Sequence, residues 1–216
     1  MDLDLTDLIG KVIKETVNFP VLFLPFFVIS LLNSILASGA LVTAMGANWS
    51  LIVNLVAVVL LVPIANAVVI ILDRSIVDRR RLSLSRAVNI AFRKAVLLIG
   101  VNFIAWMAAI SGLFLLIIPG VFLYVKFIFV TQEVILGGAT NFEAGLRDSW
   151  EHTSGYWWNL FTILLALEVP LLLLSLLLGR LPVGWGQTFQ VIFSTLAQTW
   201  IIIVFTHTYV RIRNDE

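Results

Sequence analysis

Six runs of about 20 predominantly apolar residues recur along this chain, each long enough to cross the ~30 Å hydrocarbon core of a bilayer as a helix. They lie near 20–42, 50–72, 95–118, 121–137, 157–178 and 187–209. Hydrophobic residues make up 60% of the sequence and charged residues 12%, whereas soluble domains average about 45–50% apolar and about 25% charged residues. A chain of 216 residues cannot bury six such runs in water. The sequence therefore predicts an all-α fold in which residues 1–216 form a single polytopic membrane domain.

Basic residues are distributed unevenly between the segments that connect these runs. Twelve of the 14 Lys and Arg residues fall in the two tails and in the 73–94 and 138–156 segments. On the opposite side lies only Arg180, and Lys126 lies within a run. An excess of Lys and Arg marks the cytoplasmic side of a membrane protein. We therefore expect a multi-pass protein of the cell membrane with both termini in the cytoplasm.

Three segments on the basic side have the apolar spacing of an amphipathic helix. Each follows a residue suited to cap a helix N-terminus, namely Asp4, Ser83 or Asn141. Their apolar positions are Leu5, Ile9 and Ile13 in the first, Leu84, Val88 and Phe92 in the second, and Phe142, Leu146 and Trp150 in the third. We interpret them as cytoplasmic helices that lie in the membrane interface. The alternative is that they are extensions of the spans and pack on one another.

The three segments also align with one another, and each precedes two spans that leave the cytoplasm and return. This arrangement suggests a threefold internal repeat of one unit, an interface helix followed by a transmembrane hairpin. The alternative is that any polytopic protein with amphipathic lead-in segments has this pattern. Between the third and fourth spans, Pro119-Gly120 predicts a sharp reversal that lies below the lipid headgroups.

Three ionisable residues within the spans form a candidate intramembrane polar site: Lys126, Glu133 and Glu168. Such groups are costly to insert and mark functional sites by default. One hypothesis is that Lys126 pairs with Glu168 and locks two spans together. The other is that these groups line a pathway for an ion or a lipid headgroup. Glu133, together with Gln132, is expected near the cytoplasmic interface and exposed to water.

Tryptophans flank the segment that leads into the fifth span. Trp150, Trp157 and Trp158 fall at predicted membrane interfaces, where indole rings are enriched. We therefore predict that they anchor the chain at the headgroup level.

Signals of catalysis are weak. The sequence has no cysteine, and His152 and His207 have no second His or Cys at the spacing of a metal site. Neither a Gly-x-Ser-x-Gly elbow nor a phosphate-binding loop occurs, and a net charge of +1 does not favour nucleic-acid binding. These features predict a protein that is not an enzyme and has no metal, cofactor or nucleic-acid partner.

Within 112–158 the sequence resembles a known family. The resemblance rests on Ile118-Pro119-Gly120-Val121 followed by Lys126, on Phe142-Glu143-Ala144 followed by Ser149-Trp150, and on Thr153-Ser154-Gly155-Tyr156-Trp157-Trp158. These elements are similar to the membrane domain found beside glycerophosphodiester phosphodiesterases and to its free-standing prokaryotic relatives of unknown function. The phosphodiesterase reaction needs a separate metal-binding catalytic barrel, which this chain cannot accommodate. The resemblance therefore implies a membrane location and no enzymatic activity.

Together these observations favour an integral membrane module without catalytic activity, which organises or modulates protein partners or lipids. The alternative function is a small transporter or channel for an ion, a lipid or a small solute. Expected partners are membrane lipids and either further copies of this chain or another membrane protein.

Overall fold

A computed structural model describes residues 5–36, 43, 46–80, 82–178, 180 and 185–215. Nearly all of these residues are helical, and no strand occurs among them. The long apolar elements are a 3₁₀ turn at Pro20–Phe23 that continues into α2 (Leu24–Leu36), α3 (Ala47–Val77), α5 (Ala95–Leu115), α6 (Ile117–Lys126), α8 (Trp157–Leu178) and α9 (Trp185–Asp215). After a short turn, α6 continues through one helical turn at Val130–Gln132 and a π-helix at Glu133–Gly137.

Five of the six predicted spans correspond to helices that, within the described residues, are long and apolar enough to cross a membrane, and the fourth predicted span is the combined segment Ile117–Gly137. The first predicted span is a sixth candidate only if Ile9–Asn18 and Pro20–Leu36, which meet at an angle of 99°, are counted together as one span. The end of that predicted span, 37–42, lies outside the described residues. The chain is therefore an all-α, multi-pass membrane protein.

The three predicted amphipathic helices are present as α1 (Leu5–Asn18), α4 (Leu84–Arg93) and α7 (Phe142–Thr153). At α4 the Ser83 hydroxyl accepts a hydrogen bond from the Arg86 amide at 3.4 Å, and at α7 the Asn141 side chain accepts one from the Ala144 amide at 2.8 Å. The third predicted cap, Asp4, lies outside the described residues.

The buried faces of these helices differ from the predicted apolar faces. In α1, Val12 and Thr16 are buried whereas Ile13 is exposed. In α4 the buried residues are Ala87 and Ala91, and Phe92 points away from the protein. The reason is that small residues allow these helices to pack closely on the spans. Of the larger apolar side chains, Ile13 and Phe92 are left on the outer surface, whereas Leu84 and Val88 are half-buried against the core.

The reversal between α5 and α6 occurs at Leu116, not at the predicted Pro119-Gly120. Leu116 is extended (φ −161°, ψ 150°), and Pro119 already lies in the first turn of α6. A proline fits this position because the first amides of a helix have no intrahelical acceptor. The role of Gly120 is close packing, since a Cβ there would collide with Leu113 of α5.

The hydrophobic core lies at the end of the bundle where both tails and the amphipathic helices are found. Apolar residues near the C-terminal end of α3 are buried there, including Val68, Val69 and Leu72. Helices α2, α4, α5 and α9 pack against α3. In contrast, side chains in the first half of α3, such as Leu51 and Leu55, are exposed. The exposed apolar side chains lie at the opposite end of the bundle from the amphipathic helices. A bilayer around that end would account for this contrast.

Candidate functional site

Lys126 is buried at the end of α6 and is held by α7. Its ammonium group donates hydrogen bonds to the Ser154 hydroxyl at 2.7 Å and to the Trp150 carbonyl at 3.4 Å. The same nitrogen lies 4.9 Å from the centroid of the Trp150 ring, which is cation–π distance. The predicted ion pair with Glu168 is absent. Because α7 folds back along α6, it supplies partners that are closer.

Two hydroxyl groups of α7 also contact the end of α6. Ser149 and Thr153 donate to the backbone carbonyl of Lys126, at 3.0 Å and 3.3 Å. Lys126 lies 11 residues before Gly137, roughly 16 Å along the segment at 1.5 Å per residue. Helix α7 therefore packs along half of the Ile117–Gly137 segment.

Glu133 occupies a second environment, and the expected exposure to water is wrong: it is only 1% exposed. One carboxylate oxygen lies 2.7 Å from His152 Nδ1 of α7, and the other accepts a hydrogen bond from the Tyr209 hydroxyl of α9 at 3.0 Å. A buried carboxylate needs such donors. Neither His152 nor Tyr209 was singled out as its partner by the sequence, since both lie far along the chain.

The π-helix that contains Glu133 is fixed by two basic side chains. Lys94 Nζ donates to the Val134 carbonyl at 2.5 Å, and Arg213 donates to the Leu136 carbonyl at 2.7 Å. Carbonyls at the end of a helix lack intrahelical donors and attract cations. The segment then ends at Gly138, whose φ of 88° is in the left-handed region that favours glycine.

Glu168 lies in a third environment, at the edge of a cavity of about 230 Å³. Its lining includes residues from all six candidate spans: Phe26, Val62, Asn66, Asn102, Ala105, Trp106, Tyr124, Phe127, Ile128, Val130, Thr131, Gln132, Glu168, Gln198, Ile201, Ile202 and Phe205. The lining contains polar, aromatic and aliphatic side chains. A volume of this size corresponds to about eight water molecules at ~30 Å³ each.

Gln132 is the most unusual residue of the lining. Its side chain is fully buried, and neither its amide nitrogen nor its amide oxygen has a hydrogen-bond partner. Leaving both ends of a buried amide unpaired costs several kcal/mol by order of magnitude. The neighbouring Asn102 and Thr131 are satisfied, because they bond to one another at 3.0 Å. Gln132 thus has one side-chain donor and one side-chain acceptor that no group of the protein pairs, next to the cavity that it helps to line.

The structure separates the residues of the predicted polar site. Of Lys126, Glu133 and Glu168, only Glu168 lines the cavity. The other lining groups that could contact a polar ligand are Tyr124 and the amides of Asn66, Gln132 and Gln198. Asn102 bonds between helices, since its side chain in α5 donates to the Thr131 hydroxyl of the fourth candidate span. The unpaired state of Gln132 has no signal in the sequence.

The predicted tryptophan anchors form an aromatic cluster with α6. Trp157 stacks on Phe122 at 5.8 Å between ring centroids, and its indole N–H donates to the Phe122 carbonyl at 3.4 Å. Trp150 contacts the same ring edge-on at 5.8 Å, whereas Trp158 is mostly exposed. Their position relative to a membrane stays a prediction.

Comparison with known proteins finds no matching family model, no similar curated protein and no similar solved structure. The resemblance to the membrane domain found beside glycerophosphodiester phosphodiesterases therefore stays a prediction.

Proposed function

We propose that this protein binds a small cationic solute in the cavity between its spans and carries it across the cell membrane. The observation that carries this proposal is Gln132, a residue of the cavity lining whose buried amide has no hydrogen-bond partner in the protein. A buried polar group without a partner in the protein is expected where a ligand or water completes its hydrogen bonds.

A cation is favoured by the charge of the lining. Glu168 is the only side chain of the lining with an acidic or basic charge, and a carboxylate inside a membrane protein is stabilised by an opposite charge. Trp106, Tyr124 and Phe127 add aromatic rings, which attract cations. The amides supply both donors and acceptors. These groups suit a compact solute with N–H donors, because 230 Å³ is below the roughly 300–1,000 Å³ of drug-sized pockets.

The proposed orientation has both termini in the cytoplasm, as the basic residues indicate. In this orientation α1 and α4 lie at the cytoplasmic boundary of the bilayer, with Ile13 and Phe92 toward lipid. Helix α7 extends from that boundary along α6 as far as Lys126. Each of these helices is joined to the following span by a connection of one to three residues. The connections are Phe19 after α1, Lys94 after α4 and Ser154–Tyr156 after α7. This shared connection supports the threefold repeat of helix plus hairpin.

Uptake of radiolabelled guanidinium into proteoliposomes tests the proposal. Guanidinium is permanently charged, small, and rich in N–H donors. We expect the wild-type protein to raise uptake above that of protein-free liposomes. Glu168→Gln and Gln132→Leu should each lower the rate by about tenfold or more, since losing one such contact is worth at least ~1.4 kcal/mol.

The matched control is Glu151→Gln, because the Glu151 side chain is 67% exposed on α7 and does not line the cavity. Its uptake should equal that of the wild type. The proposal is wrong if the wild type gives no uptake above empty liposomes, or if Glu168→Gln transports as fast as the wild type.

A second candidate is the function favoured by the sequence, a non-catalytic module that organises lipids or partner proteins. It is supported by the apolar tip of the α5–α6 hairpin, where Phe114 is 93% exposed and Ile118 82% exposed. Such a surface contacts lipid or another membrane protein. Absence of uptake, together with co-purification of specific lipids, would favour this function.

A further inference from the structure

Glu15, Asp73 and His207 come from three different helices and converge on one point. Glu15 lies in α1, Asp73 near the end of α3, and His207 near the end of α9. His207 Nε2 is 3.3 Å from a Glu15 carboxylate oxygen and 3.4 Å from an Asp73 carboxylate oxygen. All three atoms lie within 4.8 Å of one another. None of them belongs to the cavity described above.

The three atoms that face one another are buried, and none of them has a hydrogen-bond partner outside this group. Asp73 is 1% exposed, so water does not solvate its carboxylate. A single Nε2–H can donate to only one of the two carboxylates, whatever the charge of the imidazole. One carboxylate oxygen therefore stays without a donor, which is costly in a buried position. One cation at the centre would satisfy all three atoms at once.

The geometry matches a metal ion better than a set of side-chain hydrogen bonds. Ligands about 2.1 Å from a tetrahedral ion lie about 3.4 Å from one another, and the two measured separations are 3.3 Å and 3.4 Å. One imidazole and two carboxylates suit borderline divalent ions, whereas calcium and magnesium prefer oxygen ligands alone. We propose that Glu15, Asp73 and His207 bind a divalent transition-metal ion such as Zn²⁺, with further coordination positions left to water.

Such an ion would fasten α1 to the bundle. Without it, α1 is held mainly by buried Val12 and Thr16, and by a hydrogen bond from the Trp200 indole to the Thr16 hydroxyl at 3.1 Å. Metal ligands from α1, α3 and α9 would connect elements far apart in sequence. The metal would therefore stabilise the folded protein and reduce opening of α1.

The experiment uses the full chain in nanodiscs, freed of metal with EDTA and titrated with Zn²⁺. Calorimetry should give one ion per chain, and the midpoint of thermal unfolding should rise with Zn²⁺ concentration. Amide hydrogen exchange in 5–18 should slow when Zn²⁺ is added. Co²⁺, used as a spectroscopic probe, should give the visible absorption of a site with nitrogen and oxygen ligands.

Two variants and one control locate the site. His207→Gln should abolish binding, and Glu15→Gln should weaken Zn²⁺ affinity by about tenfold or more. Glu15 is partly exposed, so its substitution tests the site even if His207→Gln does not fold. His152→Gln removes the other histidine of the chain and should bind Zn²⁺ as the wild type does. The proposal is overturned if the folded wild type binds no Zn²⁺, or if Glu15→Gln binds it unchanged.

Discussion

Lys126 is a buried ammonium group whose partners in the described part of the chain are neutral. A hydroxyl, a backbone carbonyl and an indole ring surround it, and no carboxylate forms an ion pair with it. Hydrogen bonds to a charged group contribute about 1.5–3 kcal/mol, more than neutral ones. We infer that Lys126 fixes α7 against α6, which a membrane protein can achieve without a salt bridge.

A double-mutant cycle tests this assignment. Ser154→Ala should lower the free energy of unfolding by about 1–3 kcal/mol, because it removes a partner of a buried charge. In combination with Lys126→Met, the loss should be smaller than the sum by about 0.5–3 kcal/mol. The control cycle pairs Lys126→Met with Glu168→Gln, and these losses should add within about 0.5 kcal/mol. Unfolding in mixed micelles measures all of these values. Strict additivity for Lys126 and Ser154 would contradict the assignment.

The charge of some of these residues made it possible to single them out from the sequence, but their contact partners could not be predicted. Lys126, Glu133 and Glu168 stand out because charged residues are rare inside apolar runs. Ser154, which bonds to Lys126, lies 28 residues away from it in the sequence, and Tyr209, which bonds to Glu133, lies 76 residues away. These contacts depend on how α7 and α9 pack. His207 was set aside for lack of a local metal motif. Its partners in the proposed site, Glu15 and Asp73, lie 192 and 134 residues before it in the sequence.

The tip of the α5–α6 hairpin is the element whose surface is most apolar. Residues 114–118 are all apolar and largely exposed. The backbone at the reversal is paired, since the Leu116 amide donates to the Gly112 carbonyl at 2.9 Å. Pro119 has no N–H, so it leaves one less unpaired donor at the start of α6. An apolar tip with few free backbone donors is suited to hydrocarbon.

We therefore predict that this tip lies below the headgroups. The chain has no cysteine, so Leu116→Cys introduces one labelling site. A membrane-impermeant maleimide should not label it from either side of the membrane. A fluorophore attached there should be quenched by lipids that carry a quencher deep in their tails. Arg180→Cys is the control, because Arg180 lies in the connection between α8 and α9 and should be labelled from one side. Rapid labelling of Leu116→Cys would show that the tip is in water.

The sequence predicted where the helices lie along the chain better than it predicted how they pack on one another. Apolar run length placed the spans, and the caps Ser83 and Asn141 placed the starts of α4 and α7. The reversal at Leu116 was missed, because Pro119-Gly120 has the composition of a turn yet serves as the first turn of a helix. The sequence also did not predict that α7 packs back along α6, because this packing depends on the contact of Ser149 and Thr153 with Lys126.

At the scale of the whole molecule, charge and apolar surface are separated along the bundle. Exposed apolar side chains cover the first half of α3, the hairpin tip and much of α8. The basic residues of both tails lie at the other end, with the proposed metal site between α1, α3 and α9. The cavity lies about halfway along the helices: Asn66 is 11 residues from the end of α3 and Gln198 is 13 residues from the start of α9. A solute in the cavity could thus reach either side through a movement of the helices around it.

This separation leads to a prediction about orientation. Arg79→Cys follows α3, and Asn214→Cys lies at the end of α9, so both belong to the basic end of the bundle. In a bacterial inner membrane, a membrane-impermeant maleimide should label both of them in inverted vesicles and neither of them in intact spheroplasts, because basic segments stay in the cytoplasm. Arg180→Cys should show the opposite pattern and serves as the control for access from outside. Labelling of Arg79→Cys and Asn214→Cys from opposite sides would mean an odd number of spans between them, and would contradict the even number that places 73–94 and the C-terminus on one side.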